Sequence, residues 1–483
     1  MNKQFHVKSI YCIFFAFLLI VVSFYFLGGE QLYKKAADTG DRVSAANYVE
    51  EITVGRALVQ PFSIDADSID QVSFLVSTCG RLNKGTLFVS IWNSSSCLAS
   101  SSIAMESIVD GADLLVRFFP AVKIEPNERL YLHIESDGVP GNAVTVFYGR
   151  MIQLSKGSVA KELREDELAT YDGTPLDGIL CFQATGEKEL LFGQFYWYFI
   201  AAAGVLLLAF CGAVLNKKSK GIPSVTLRFF DAVRRYKFLM QQLISRDFKA
   251  KYKRSILGVL WSFLNPLFMM MIYYIVFSTI FQSDSNNFPV YLIIGIVCFN
   301  FFSEATNMAL HSIVGNASLI TKVYMPKYIF PVSRVLSSTV NLLLSLVPLF
   351  LVLLYTKTQI NIRFVLIVFG LISLIALSLG VGMILSSLMV FFRDTQFLWG
   401  VIITMLNFGT PIFYPENIIP ENFMPLFKMN PLYHIIRFIR TVIIDGVSPE
   451  PKAYLFCIIA SIIPLLLGMY IFKKTQDKFI LNL

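Results

Sequence analysis

Charge is scarce in this chain: 15% of its 483 residues are Asp, Glu, Lys or Arg, against 55% hydrophobic residues and a mean hydropathy of +0.61. Such a balance excludes a soluble globular fold and describes a polytopic membrane protein. No G-x-x-x-x-G-K-S/T stretch occurs, so the chain cannot by itself build the backbone cradle with which phosphate-loop ATPases hold nucleotide. Cysteine is sparse as well, with seven residues. Cys12, Cys211, Cys298 and Cys457 sit in apolar runs, where a small buried hydrophobe is expected. Cys79, Cys97 and Cys181 lie in the polar part and are odd in number. A hairpin over residues 72–77 and 86–92 would hold Cys79 and Cys97 roughly 20 Å apart, at about 3.3 Å per residue, which disfavours a disulfide between them.

What is present is long apolar sequence. Runs near residues 10–29, 191–215, 256–281, 290–310, 335–355, 364–392, 397–413 and 453–472 are each long enough to cross about 30 Å of hydrocarbon. Eight spans put both termini on one side. Residues 30–190 hold 14 Lys or Arg against 23 Asp or Glu, and the remainder holds 27 basic against 10 acidic residues. Basic residues crowd Lys3 and Lys8, Lys217, Lys218 and Lys220, the stretch 234–254, Lys322 and Lys327, and Lys473, Lys474 and Lys478. By the positive-inside rule these segments and both termini are cytoplasmic, and the acidic insert 30–190 is extracytoplasmic. The first run reads as an uncleaved anchor, because its apolar core exceeds that of a signal peptide and no small-x-small site follows.

Within the insert the hydrophobic period changes to two, as in Val72, Phe74 and Val76; Leu87, Val89 and Ile91; Leu114, Val116 and Phe118; Leu130, Leu132 and Ile134; and Val144, Val146 and Tyr148. Turn signals at Cys79-Gly80, Asp110-Gly111, Pro126-Asn127 and Pro140-Gly141-Asn142 separate them. Short alternating strands at this spacing predict an all-β antiparallel sandwich. The pattern resembles jelly-roll modules that often bind sugars. Trp92 is either an exposed ring for a glycan or, as is commoner for aromatics, part of the core.

The expected organisation is therefore an anchor over 1–29, the β-sandwich over 30–190, a second transmembrane helix over 191–215, a cytoplasmic basic amphipathic region over 216–255 and a six-helix membrane domain over 256–483. The junction RDFKAKYKRSILGVLWSFLNPL, residues 246–267, interleaves cations with Phe248 and Tyr252 and then enters the membrane, the composition of a helix lying on an anionic bilayer face. A loop follows with GNASLITKVYMPKYIFP at 315–331, then Phe391-Phe392-Arg393-Asp394, then TPIFYP at 410–415 and Asn430-Pro431-Leu432. In this order the four elements resemble the permease subunits of type-2 ABC exporters for polysaccharides, the O-antigen, capsule and teichoic acid exporters, over residues 228–483.

The resemblance implies a bacterial inner-membrane homodimer bound to two copies of an ABC ATPase that carry the ATP and Mg. It implies no cofactor in this chain and no catalytic residue, and neither a metal nor a nucleic-acid partner is expected. The substrate would be a glycan linked to polyprenyl pyrophosphate. Two cytoplasmic surfaces are then candidates for contact with the ATPase: Arg246, Asp247, Lys249 and Tyr252 on the basic helix, and Ile320, Lys322, Tyr324, Pro326 and Lys327 on the loop. In the loop, apolar Tyr324, Met325 and Pro326 form a restricted knob with a cationic rim. Arg246, Lys251 and Arg254 are candidates for the lipid pyrophosphate or for anionic lipid head groups.

Asn300, Glu304, Asn307 and His311 fall on one helical face, and with Asn341 they are channel candidates. An intramembrane carboxylate is costly, so Glu304 either lines the path or braces it. Ser333, Ser337, Asn341 and Ser345, and the small residues Ser378, Gly382 and Ser386, point to close helix packing. Residues 411–431 carry five prolines, which predicts two short helices dipping into the outer leaflet. In the resembling family this region closes the outer mouth, making Phe408, Phe413 and Tyr414 outer gate or sugar-stacking candidates, or interfacial anchors. Two rival functions remain, a membrane-bound glycosyltransferase using Glu416, Glu421 or Asp445, and an ion-coupled flippase for a lipid-linked glycan.

Overall fold

The computed structural model describes residues 2–40, 42–154, 157–160, 164–219, 225–253, 256–281, 287–322 and 325–482. The chain divides into two compact units, one formed by Tyr33–Phe195 and the other by Met1–Leu32 with Tyr196–Leu483.

The first unit is built of strands: β1 (Lys34–Asp38), β2 (Asn47–Tyr48), β3 (Ala57–Phe62), β4 (Ser68–Ser77), β5 (Thr86–Trp92), β6 (Cys97–Ala104), β7 (Asp113–Lys123), β8 (Leu130–Ser136), β9 (Thr145–Gly149), β10 (Met151–Leu154), β11 (Gly157–Ala160), β12 (Thr170–Tyr171), β13 (Thr174–Pro175), β14 (Ile179–Leu180) and β15 (Phe182–Glu189). One sheet runs β1-β15-β4-β9-β14, with β7 also on β4 and β2 on β9; a second runs β13-β12-β3-β8-β5-β6. All named pairings are antiparallel. The period-two residues explain the layers: Val72, Phe74 and Val76 of one sheet and Leu87, Val89, Ile91, Leu132 and Ile134 of the other share a single core. Alternate side chains point to opposite faces, so two half-apolar sheets must bury those faces against each other. β1 and β15 are neighbours, with Lys34 opposite Glu189. The chain therefore enters and leaves this unit side by side. Cys79, Cys97 and Cys181 are unpaired.

The second unit is helical: α1 (Asn2–Gly28), then, after the short α2 (Leu191–Gln194) that closes the first unit, α3 (Tyr196–Ser219), α4 (Val225–Tyr252), α5 (Trp261–Phe281), α6 (Phe288–Leu310), α7 (Ala317–Lys322), α8 (Ile329–Tyr355), α9 (Ile367–Phe391), α10 (Thr395–Phe408), α11 (Met424–Lys428), α12 (Pro431–Arg440), α13 (Pro451–Thr475) and α14 (Phe479–Asn482). Among the described residues six helical stretches, beginning at Tyr196, Gly258, Phe288, Ile329, Ile362 and Pro451, are long and apolar enough to cross a membrane. α6 is the central element, with most of its surface buried by α5, α8, α9 and α12. α9 and α13 approach so closely that a Cβ on Gly468 would lie 2.3 Å from the Gly380 carbonyl oxygen, the small-residue contact by which membrane helices gain packing. Gly382 faces Ala309 of α6 in the same way. α1 packs beside α3, where the Tyr196 hydroxyl donates to the Val21 carbonyl at 2.8 Å, and reaches α13 through an edge-on contact of Phe24 with Tyr454.

The apolar run at 397–413 is not one continuous helix. α10 stops at Phe408, after 14 residues, because Gly409 and Pro411 interrupt it. The region after it contains two 3-10 turns, Glu416–Ile418 and Glu421–Phe423, and the five-residue α11 in place of two dipping helices. α12 then ends in a π-helical turn, Thr441–Asp445.

Candidate functional site

The site begins with α4. Leu239, Leu243, Asp247 and Lys251 recur every four residues and so share one face of the helix. That face packs against α8. Asp247 is 8% exposed and lies between two guanidinium groups, Arg334 of α8 at 3.0 Å and Arg246 at 3.1 Å. One turn further on, Lys251 Nζ is 2.8 Å from Glu304 Oε1 of α6, and Asn341 Nδ2 of α8 donates to the same oxygen at 2.6 Å. The Tyr252 hydroxyl bonds to Ser262 on α5 and to Asn341 Oδ1 at 3.1 Å. Asp247, Lys251 and Tyr252 of one surface helix are thus tied by polar bonds to α8, α6 and α5. Of these charges Asp247 is the buried one, and its two guanidinium partners offset the cost of burying it.

Between α4, α6 and α8 lies a cavity of about 480 Å³ lined by Asp247, Lys251, Glu304, Arg334, Ser337 and Asn341, among others. Its two carboxylates and two cations balance. Asn300 and Asn307 are exposed on the same face of α6 as the partly covered Glu304, which leaves a polar strip in an otherwise apolar helix. Lys249 is exposed, and Arg254 lies outside the described residues.

The loop candidates divide. Ile320 is buried in a small core with Leu243, Ile313, Phe330, Phe472 and Phe479, which anchors α7. Lys322 is exposed, while Pro326 is half-buried and Tyr324 is outside the described residues. Lys327 donates to the Gln476 carbonyl at 2.6 Å and lies 6.0 Å from the ring centroid of Phe479, so it holds the C-terminal segment in place.

The aromatic candidates divide too. Phe408 is 65% exposed, but Phe413 is 5% exposed and packs at 4.2 Å from Tyr273 and 5.9 Å from Phe277 of α5. In this structure Phe413 is packed in the core. Tyr414 is half-buried and its hydroxyl donates to the Phe408 carbonyl. In the strand unit Trp92 is not core: it is 37% exposed, with its indole nitrogen on Ser90 Oγ at 2.9 Å and its ring 5.4 Å from His133.

Arg334 and Ser262 take part in these networks, and Tyr291 and Arg440 bond to residues 411–414; none of the four was among the candidates. Arg440 carries a signal in the sequence, a cation inside the apolar stretch IIRFIRTVII at 435–444. Arg334 carries a weaker one, beside the serine stripe.

A basic surface helix bonded to the core of a polar-striped helical bundle defines a polytopic helical membrane domain. Consistent with that class, residues 239–444 match the family described as ABC-2 type transporter. The O-antigen export system permease protein RfbA of Klebsiella pneumoniae is 32% identical over 248 residues, which cover 93% of that protein and 50% of this chain. RfbA of Myxococcus xanthus is 28% identical over 257 residues, covering 98% and 52%. The polysialic acid transport protein KpsM of Escherichia coli is 23% identical over 244 residues, covering 95% and 50%. The chain belongs to the ABC-2 type transporter family of membrane domains.

Proposed function

We propose that this chain is the permease subunit of an exporter that moves a polysaccharide across the bacterial cytoplasmic membrane, the glycan being carried on a polyprenyl pyrophosphate lipid. Two copies form the path, and two ATPase subunits drive it. Eight helices span the membrane, α1 and α3 in addition to six in the matched region. Both termini are cytoplasmic, and the strand unit, a jelly-roll-like sandwich, faces outward where Trp92 is available to the emerging chain.

The observation that carries this reading is the bonding of α4 to α5, α6 and α8 through Tyr252, Lys251 and Asp247. A force applied to α4 from the cytoplasm reaches the polar strip of α6 without passing through a compliant loop. The names of the relatives support the substrate class. The pyrophosphate would enter the cavity beside α4 and compete with Glu304 for Lys251, because phosphate oxygens are strong acceptors for cations.

The test is co-purification followed by reconstitution. An ATPase encoded beside this chain is expected to bind it stably and to drive export of lipid-linked glycan into or out of proteoliposomes. Export by the chain alone, without nucleotide, would overturn the proposal.

A further inference from the structure

The far end of α6 carries a second arrangement that the transport reading leaves unused. Tyr291 and Glu304 are 13 positions apart, about 20 Å at 1.5 Å per residue, so this arrangement lies well away from α4. Its centre is Arg440, the last residue of α12, which is 5% exposed. Among the described residues Arg440 has no carboxylate partner within ion-pair distance. Its guanidinium instead donates to three backbone carbonyls: Nη1 to Pro411 at 2.6 Å, and Nη2 to Ile412 at 3.2 Å and Tyr291 at 3.1 Å. Its carbon sits 3.3 Å from the centre of the Tyr291 ring. The Tyr291 hydroxyl, from the other side, points its proton between the carbonyls of Pro411 at 3.1 Å and Tyr414 at 2.9 Å.

Two further features show that the pocket is shaped for this. Gly295 leaves the room: a Cβ there would fall 2.8 Å from Arg440 Nη2 and 2.9 Å from Ile412 Cγ2. The segment is also gripped from the opposite end of α12, where Asn430 Nδ2 donates to Thr410 Oγ1 at 2.8 Å. Broken backbone at membrane depth needs donors for its carbonyls, because no lipid supplies them. Here one arginine and one tyrosine supply them to Pro411, Ile412 and Tyr414. Yet Arg440 Nε is buried without a partner. The arrangement as seen carries the cost of one unsatisfied donor, which any state admitting water to Nε recovers.

We propose that Arg440 and Tyr291 are positioning residues forming a releasable latch that holds residues 410–414 shut across the outer end of the path, and that the power stroke frees this segment by shifting α12. The contacts of Arg440 and Tyr291 with residues 411–414 stand on the distances above; the place of this segment at the outer end of the path and its release by the power stroke rest on the exporter reading.

The experiment uses the full chain with its ATPase, in proteoliposomes to read export and in nanodiscs to follow hydrogen exchange in a peptide spanning residues 408–416, with peptides from α6 and α12 as controls. In the native protein, ATP turnover is expected to raise exchange in 408–416 while the controls stay constant. Tyr291→Phe removes only the hydroxyl and leaves the ring under Arg440; it is expected to exchange roughly five- to tenfold faster without ATP, the factor for losing one hydrogen bond. Arg440→Lys, which keeps the charge but loses the fork, is expected to do the same. The proposal is overturned if Tyr291→Phe leaves 408–416 unchanged without ATP, if ATP fails to change that peptide in a native complex that exports, or if exchange rises equally in α6 and α12. A native complex that does not export glycan sinks the exporter reading instead, while the ATP-free comparison still decides the latch.

Discussion

Lys251 and Asn341 meet on a single oxygen of Glu304, at 2.8 and 2.6 Å. A carboxylate inside a membrane helix is therefore bound at once to a surface helix and to a second membrane helix. Glu304 makes the bonds that bracing requires and also lines the cavity beside α4.

A double-mutant cycle with Lys251→Met and Glu304→Gln is expected to give a coupling of about 1 kcal/mol, the low side of the range for contacting charges, since both side chains keep some water contact and screening weakens exposed pairs. Thermal unfolding of the four proteins in detergent measures it. Strict additivity would show that the pair carries no energy.

The helix contact at Gly380 tolerates no side chain, because a Cβ there would lie 2.4 Å from the Leu465 nitrogen and the Pro464 carbonyl carbon. Gly380→Ala is expected to cost about 2 kcal/mol by forcing α9 and α13 apart, read as a lowered Tm and reduced yield. Gly400→Ala, where a Cβ meets open space, is the control and should be neutral. Equal effects at the two sites would contradict the packing.

Acid is expected to act on the strand unit in one direction. Burial pulls the His133 imidazole below its ordinary value. The Arg81 side chain, then the Gly141 amide, hold Glu51 low, and the Ser77 hydroxyl with the Thr78 amide does the same for Asp110. In each case the unfolded chain takes up the proton first. The stability these groups contribute is thus present above the unfolded pKa and lost as pH falls, below about 6.5 for His133 and below about 4 for the carboxylates. Thermal unfolding of the full chain should show the strand-unit transition falling in two stages, the upper one absent in His133→Gln. A transition that rises between about pH 7 and pH 5.5 would refute this assignment.

Lys322 and Lys327 separate surface from scaffold. Lys322→Glu is expected to leave Tm unchanged and to abolish ATP-driven export, since its side chain is exposed beside the buried Ile320. Lys327→Glu is expected to lower stability by about 1 kcal/mol through loss of the bond to Gln476. If the first variant exports normally with a bound ATPase, α7 is not a coupling surface.

Much of the architecture was legible from periodicity. The alternating sets around Phe74, Val89, Val116, Leu132 and Val146 fall in β4, β5, β7, β8 and β9. The strands that period two did not reveal explain themselves: β3 contains Pro61, β6 reads CLASSSIA at a sheet edge, and β15 ends in Gly-Glu-Lys-Glu. In the membrane, apolar runs located helices, but composition does not tell a lipid-facing ring from a packed one, so the packing of Phe413 against Tyr273 and Phe277 was not legible. The pairing of α4 with α8 through Arg334 is a contact between residues 87 positions apart and leaves no trace in local pattern. Arg440 was visible as an anomaly whose meaning needed the broken backbone beside it.

The antiparallel pairing of β1 with β15 has an evolutionary reading. A module whose two ends emerge abreast can be spliced into a short connection, or excised from it, without prising apart the helices on either side, and α1 and α3 hold together through contacts of their own at Val21 and Tyr196. The strand unit is therefore separable along the chain from the helices that flank it.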